Sequence, residues 1–303
     1  MEAGVKKGRT ILIFLLTAAV YAAAELGLTA LIYGAVFSRY EAVEPPESSM
    51  PYTEVAFDCR GDALFGRLYE CGSGLLVIMI PGIHAESAEL APAAEAICGM
   101  GYSVLIFDPA GTGKSGGDAR GFYRIVYDTD ACIRFAEENG LFGAERAVLL
   151  GHSRGGYAAC IEAAEHDCVC AAAALSAPDT PLEATLAGSQ AALGTVGRAN
   201  AAALFTVQSM LFSPQETLAS ASDALARCKK PALILQGEND SVVPCESFSV
   251  YSKREKLSDS ARAVLLPCAH GDILLNDGEA NEEAMKLIEE FLHGVQVTAG
   301  RSG

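Results

Sequence analysis

Basic residues are in short supply. The 303-residue chain carries 22 Lys plus Arg against 38 Asp plus Glu, a formal net charge of −16. A phosphate backbone is held by clustered Lys and Arg, so this balance excludes nucleic acid as a partner and sets the body against an anionic lipid surface. No C-x-x-C or H-E-x-x-H spacing occurs, so no metal is implied, and no cofactor is expected. Internal repeats and low-complexity tracts are missing, and Gly and Pro stand near average usage, which excludes collagen and disorder. What remains is an ordinary globular composition, half hydrophobic and one-fifth charged. Since α/β folds often run to about 250 residues as one domain, the length suits one domain plus an appendage.

The appendage is N-terminal (residues 1–40). Thr10 to Phe37 is an apolar run of 28 residues with one charge, Glu25. As a helix it exceeds the roughly 20 residues needed to cross a bilayer. Lys6, Lys7 and Arg9 precede it, while Glu41, Glu44 and Glu47 follow, so the positive-inside rule puts the N-terminus in the cytoplasm and the body outside, on a single-pass membrane anchor. The competing reading is a secreted protein after signal cleavage, with Ile11 to Ala24 as the apolar region and Ala22-Ala23-Ala24 before the cut. Cleavage there leaves Leu26 to Phe37 as an exposed apolar tail. The ten cysteines fall mostly at apolar positions, and their redox state stays open. Cys59 and Cys71 flank a hairpin whose turn near Gly61 places Cys59 opposite about residue 63, so these two are not cross-strand partners.

After an acidic, Pro-containing linker (residues 41–51), strand patterns are expected at Tyr52–Phe57, Leu64–Glu70, Leu75–Ile80, Tyr102–Phe107, Ala147–Leu150, Val169–Leu175, Ala232–Gln236 and Ala263–Leu266. Helical patterns lie between them at Ala88–Met100, Tyr123–Asn139, after Gly155 to His166, and near Glu246–Leu257, with a last one at Glu279–His293. From 178 to 229 the strand signal gives way to Ala-rich helical stretches, an inserted lid. Repeated βα units predict an α/β fold: a mostly parallel sheet of about eight strands with helices on both faces, spanning 52–293, and a tail at 294–303.

Gly151-His152-Ser153-Arg154-Gly155 fits G-x-S-x-G between a predicted strand and a predicted helix. Glycines there permit a tight turn that projects the serine hydroxyl from the C-terminal edge of the sheet. A hydroxyl is a weak nucleophile until a base removes its proton, so a histidine oriented by a carboxylate is required. His152 is part of the turn, and His166 and His293 lie on helices. His270 follows a strand at the sheet's C-terminal edge, and Asp240 precedes it in the loop after another strand.

With Gly237-Glu238-Asn239-Asp240-Ser241-Val242-Val243-Pro244, the His270-Gly271 pair and the loop Asp108 to Ser115, the chain resembles the α/β-hydrolase superfamily from about Thr53 to Phe291. The nearest likeness is to its lysophospholipase-like and serine-aminopeptidase-like branch, with a helical lid. The resemblance implies Ser153 as nucleophile, His270 as general base and then acid, and Asp240 orienting the imidazole. It also implies an oxyanion hole formed by the backbone N–H groups of Arg154 and Ile83. One departure is Pro81-Gly82 where the family has His-Gly; His84 either replaces that bracing histidine or is solvated. Gly111 to Ser115 resembles the end of a phosphate-binding loop, but Asp108 occupies the position of its first glycine. The Arg154 side chain either attracts an anionic substrate group or forms a structural ion pair. The expected function is hydrolysis of an ester or related acyl bond of a small-molecule substrate through an acyl-enzyme. An aminopeptidase or acyltransferase on the same fold, and a catalytically silent binding protein, are the alternatives.

Overall fold

The computed structural model describes residues 2–72, 74–119, 121–142 and 146–299. α1 (Glu2–Val36) is one proline-free helix, rich in Ala and Leu. Its segment Lys7–Val36 is long and apolar enough to cross a membrane, with a mean hydropathy of 2.1 over its most apolar 18-residue stretch. The two ends of this segment differ. Phe14 and Tyr21 are exposed, whereas Thr29, Tyr33 and Phe37 are buried. Those three positions recur every four residues and so share one face, which lies against the body. Not all of Thr10 to Phe37 is therefore free to enter a bilayer, and the segment left by cleavage after Ala24 would be docked on this face rather than form a loose tail.

The stretch expected to be a linker is pinned as well. Tyr40 exchanges backbone hydrogen bonds with the loop at Gly111 and Gly113, and Ser48, Ser49 and Met50 all donate to the Glu95 carboxylate. β1 (Thr53–Cys59) and β2 (Asp62–Tyr69) form an antiparallel hairpin. Arg60 and Gly61, both at positive φ, make a two-residue turn, so Cys59 faces Asp62, one residue short of the expected register. Cys71 instead forms a disulfide with Cys98.

Then come β3 (Leu76–Ile80), α2 (Ala91–Gly99), β4 (Ser103–Phe107), α3 (Arg124–Glu138), β5 (Ala147–His152), α4 (Arg154–Glu165) and β6 (Val169–Leu175). The eight strands of the main sheet run β1-β2-β4-β3-β5-β6-β7-β8, parallel from β4 onward, with β7 at Ala232–Gly237 and β8 at Ala261–Leu266. Alternate residues of β3 feed two cores. Leu76, Ile78 and Ile80 pack toward α3 and α4, while Val77 and Met79 join Ile97, Ile288 and Leu292 on the opposite face. Strand order reverses between β3 and β5, and the crevice at such a reversal is where open α/β sheets bind ligands.

Between β6 and β7 lie α5 (Pro181–Ala199), α6 (Ala201–Leu211), α7 (Pro214–Leu218) and α8 (Ala221–Cys228). α8 packs on α4 with Ala221, Ala224 and Leu225 in the core, so it covers the sheet; α6 packs on α1. Two further expectations shift. The helix near Glu246–Leu257 is a 3-10 turn, Val250–Lys256. The last helix, α9 (Glu282–Ala299), starts after the small hairpin of β9 (Leu275–Asn276) and β10 (Glu279–Ala280) and runs past His293 into the expected tail.

Candidate active site

Ser153 sits between β5 and α4 at φ 54° and ψ −122°, a conformation a non-glycine residue holds only when its surroundings over-determine it. Here they do. The Ser153 N–H donates to the Leu175 carbonyl at 2.8 Å, tying the turn to β6. The helix can pass this close to the sheet because Gly151 and Gly155 lack side chains. A Cβ on Gly155 would stand 2.1 Å from the Ile80 oxygen, and one on Gly151 would stand 2.2 Å from the Gly155 oxygen.

The loops after β7 and β8 bring the other two residues to this edge. The His270 Nε2 lies 3.0 Å from the Ser153 Oγ, and its Nδ1 lies 2.7 Å from the Asp240 Oδ2. A carboxylate only accepts, so Nδ1 carries the proton and the Nε2 lone pair faces the serine. Asp240 is held from three sides: the Val242 and Val243 N–H groups donate to Oδ1 at 2.9 and 2.7 Å, and Gln236 Nε2 donates to Oδ2 at 3.0 Å. Burial pushes the Asp240 carboxyl up, but the hydrogen bond and charge of His270, together with those two N–H groups, outweigh it and leave it below the usual value. His152 is buried too, and burial with the neighbouring His270 drives it down to about 4. Neutral at ordinary pH, it donates from Nε2 to the His270 backbone oxygen at 2.9 Å, so the residue before the serine fixes the loop that carries the imidazole.

Arg154 opens α4, and its backbone N–H therefore has no acceptor within the helix. It and Ile83, in the loop after β3, border the same cavity as Ser153. This cavity, of about 230 Å³, has largely apolar walls that include Phe122, Leu204 and Val243, with Tyr33 of the N-terminal helix and Phe37 just after it. His84 is exposed and stacks on Tyr40 at 5.5 Å between ring centroids. The Asp108 loop is a folded knot: Asp108 accepts from the Ser87 and Lys114 N–H groups, and Ser115 Oγ donates to the Asp108 carbonyl at 2.6 Å. Its polar atoms hold the protein together and are not open to a phosphate.

A family model described as serine aminopeptidase, S33, matches residues 74–204. An esterase of Pyrococcus furiosus superposes with a TM-score of 0.67 at 21% identity, over 86% of this chain and 98% of its own. The Est1E protein of Butyrivibrio proteoclasticus, with ferulic acid bound, gives 0.60 at 20% identity, over 80% and 99%. GrgF, an α/β hydrolase of a Penicillium species, gives 0.60 at 20% identity, over 82% and 100%. The chain has the α/β-hydrolase fold. No curated protein matches its sequence.

Within this site three contributions escape sequence reasoning. The His152 bond to the His270 loop joins residues more than a hundred positions apart and leaves no local signal. Gln236, at the end of β7, reads only as a strand residue. Tyr33 and Phe37 read as membrane residues, and their spacing from Thr29 was the one available sign of a docking face.

Proposed function

We propose that this α/β hydrolase cleaves carboxylic esters with Ser153 as nucleophile, His270 as general base and acid, and Asp240 as the group that orients and balances the imidazole. One observation carries the reading: the continuous chain from the Ser153 Oγ through the imidazole to the Asp240 carboxylate, with contacts of 3.0 and 2.7 Å. As the Ser153 Oγ attacks the carbonyl carbon, its proton passes to the His270 Nε2. The resulting oxyanion is met by the N–H groups of Arg154 and Ile83. On collapse His270 returns the proton to the leaving alcohol, and water, activated by the same nitrogen, hydrolyses the acyl-enzyme. The insertion at 178–229, through α5 and α6, serves as the lid over the bound acyl group.

The family model's description favours a peptidase, but the cavity favours an ester. An aminopeptidase must hold a substrate ammonium, which needs carboxylates. Among the described residues lining the cavity none is acidic and one, Arg154, is cationic. The deciding experiment exposes the full chain and Ser153→Ala to a fluorophosphonate, then supplies esters of graded acyl length and aminoacyl amides. Labelling confined to the native serine with ester turnover is expected; equal labelling of both proteins rejects Ser153, and release of aminoacyl amines restores the peptidase.

The exposed part of α1 acts in this reading as a membrane anchor with the body outside the cytoplasm. Lys6, Lys7 and Arg9 before it support that orientation, and the Cys71–Cys98 disulfide suits an oxidising compartment. The mass of the membrane-fraction protein is expected to include residues 1–24; a chain that starts at Glu25 overturns the anchor.

A further inference from the structure

We propose that the Arg154 guanidinium is a binding site for an anionic group, carboxylate or phosphate, carried by the substrate, so that preferred esters combine an apolar body with a negative charge. This deepens the ester-hydrolase reading and rests on it.

The side chain is 3% exposed, and its Nε and Nη2 are buried with no hydrogen-bond partner among the described residues. Among the described residues no ion pair makes it structural. Asp128, an acid close enough to act on it, is already engaged: Arg124 Nε holds one carboxylate oxygen at 2.7 Å, and the Ala110 N–H holds the other at 2.9 Å. Tyr33 gives it no acceptor carboxylate either, since its hydroxyl donates to Gln208 Oε1 and accepts from the Phe122 N–H. The Phe37 ring, with its centroid 5.7 Å from the Arg154 Cζ, offers only a weak cation–π contact. Burial lowers the guanidinium to about 10, against the pull of Asp128, so it still carries its proton at neutral pH.

A buried charge without a counter-ion is costly, and proteins normally pair it. Arg154 lines the apolar cavity that contains Ser153 and follows that serine directly in sequence. An anion entering the cavity would complete the missing pair through charge-assisted, fork-like hydrogen bonds. In a chain of net charge −16, such a pocket cation also selects against the surface's general repulsion of acids.

The test uses the full chain in nonionic detergent with Ser153→Ala, which holds esters without turning them over. Calorimetry compares monoethyl suberate, a monoanion, with the neutral diethyl suberate, and 2-hexanoyloxyethyl phosphate supplies the phosphate arm. A charged hydrogen-bonded pair predicts that at least one anionic ester binds about tenfold tighter or more than the diester. Arg154→Gln is expected to remove that preference, and Arg154→Lys to retain part of it. Both variants keep the backbone N–H, and the ratio between two ligands cancels effects common to both. Equal binding of anionic and neutral esters with Arg154 in place overturns the proposal, and needs no variant to fold. A preference that persists while the native chain turns over no ester leaves the anion site standing and removes the hydrolase reading.

Discussion

Ser153 is held at positive φ by the strand before it, the helix after it and a hydrogen bond to β6, and the strain aims its hydroxyl at an imidazole that arrives from another loop. Each partner has a separable task. Asp240→Asn leaves the shape of the site but lets the imidazole adopt the wrong tautomer, and kcat for a soluble ester is expected to fall about 10³–10⁴-fold with little change in KM. Steady-state kinetics checks this; a drop under about tenfold would remove the orienting role. Gly155→Ala tests the turn itself. With a Cβ 2.1 Å from the Ile80 oxygen, neither rigid backbone can yield, and a loss of about 3 kcal/mol or more is expected in denaturant unfolding. These residues were legible because their chemistry is local: a glycine-flanked serine in a strand-to-helix turn and a histidine beyond a strand each leave a short pattern. His152 was legible as part of the turn but not as the donor that fixes the His270 loop, because that bond exists only after β8 has been laid beside the sheet.

Among the elements, α1 departs furthest from its sequence pattern. Its hydrophobicity is shared between two surroundings, with Phe14 and Tyr21 facing outward and Tyr33 and Phe37 walling the cavity. A chain beginning at Ser38 would lose that wall and uncover Phe122 and Val207, while the Ser153, Asp240 and His270 loops remain on the sheet. Such a truncation is expected to keep fluorophosphonate labelling but to lose about tenfold or more in kcat/KM for apolar esters, the worth of about one buried aromatic side chain. Unchanged kcat/KM would show that α1 takes no part in binding. The parallel strands, by contrast, were readable one by one. β3 and β5 are buried on both faces, and a continuous apolar run between turns has few other solutions.

For the molecule as a whole, charge links α3 to α4. The His166 Nε2 contacts Glu162 at 2.9 Å and Asp130 at 3.1 Å. The hydrogen bond to Glu162 outweighs burial and raises the imidazole above its ordinary value. A raised histidine stabilises the fold in full below its unfolded value of about 6.5, and that contribution disappears as pH climbs through the folded value. The advantage in Tm of the native chain over His166→Gln is therefore expected to shrink between pH 6 and pH 9. An advantage constant across that range would show that His166 contributes by packing alone.

Composition and period were enough to determine the class of fold, and a short motif marked the strand-to-helix turn at Ser153, since each depends on residues close together in the chain. Tertiary structure alone decided that the end of a membrane-like helix closes the cavity, that Cys71 pairs with Cys98, and that Nε and Nη2 of Arg154 have no hydrogen-bond partner among the described residues. Those outcomes depend on which distant surfaces meet, and an apolar or charged side chain carries no mark of whether lipid, protein or an unfilled space will face it.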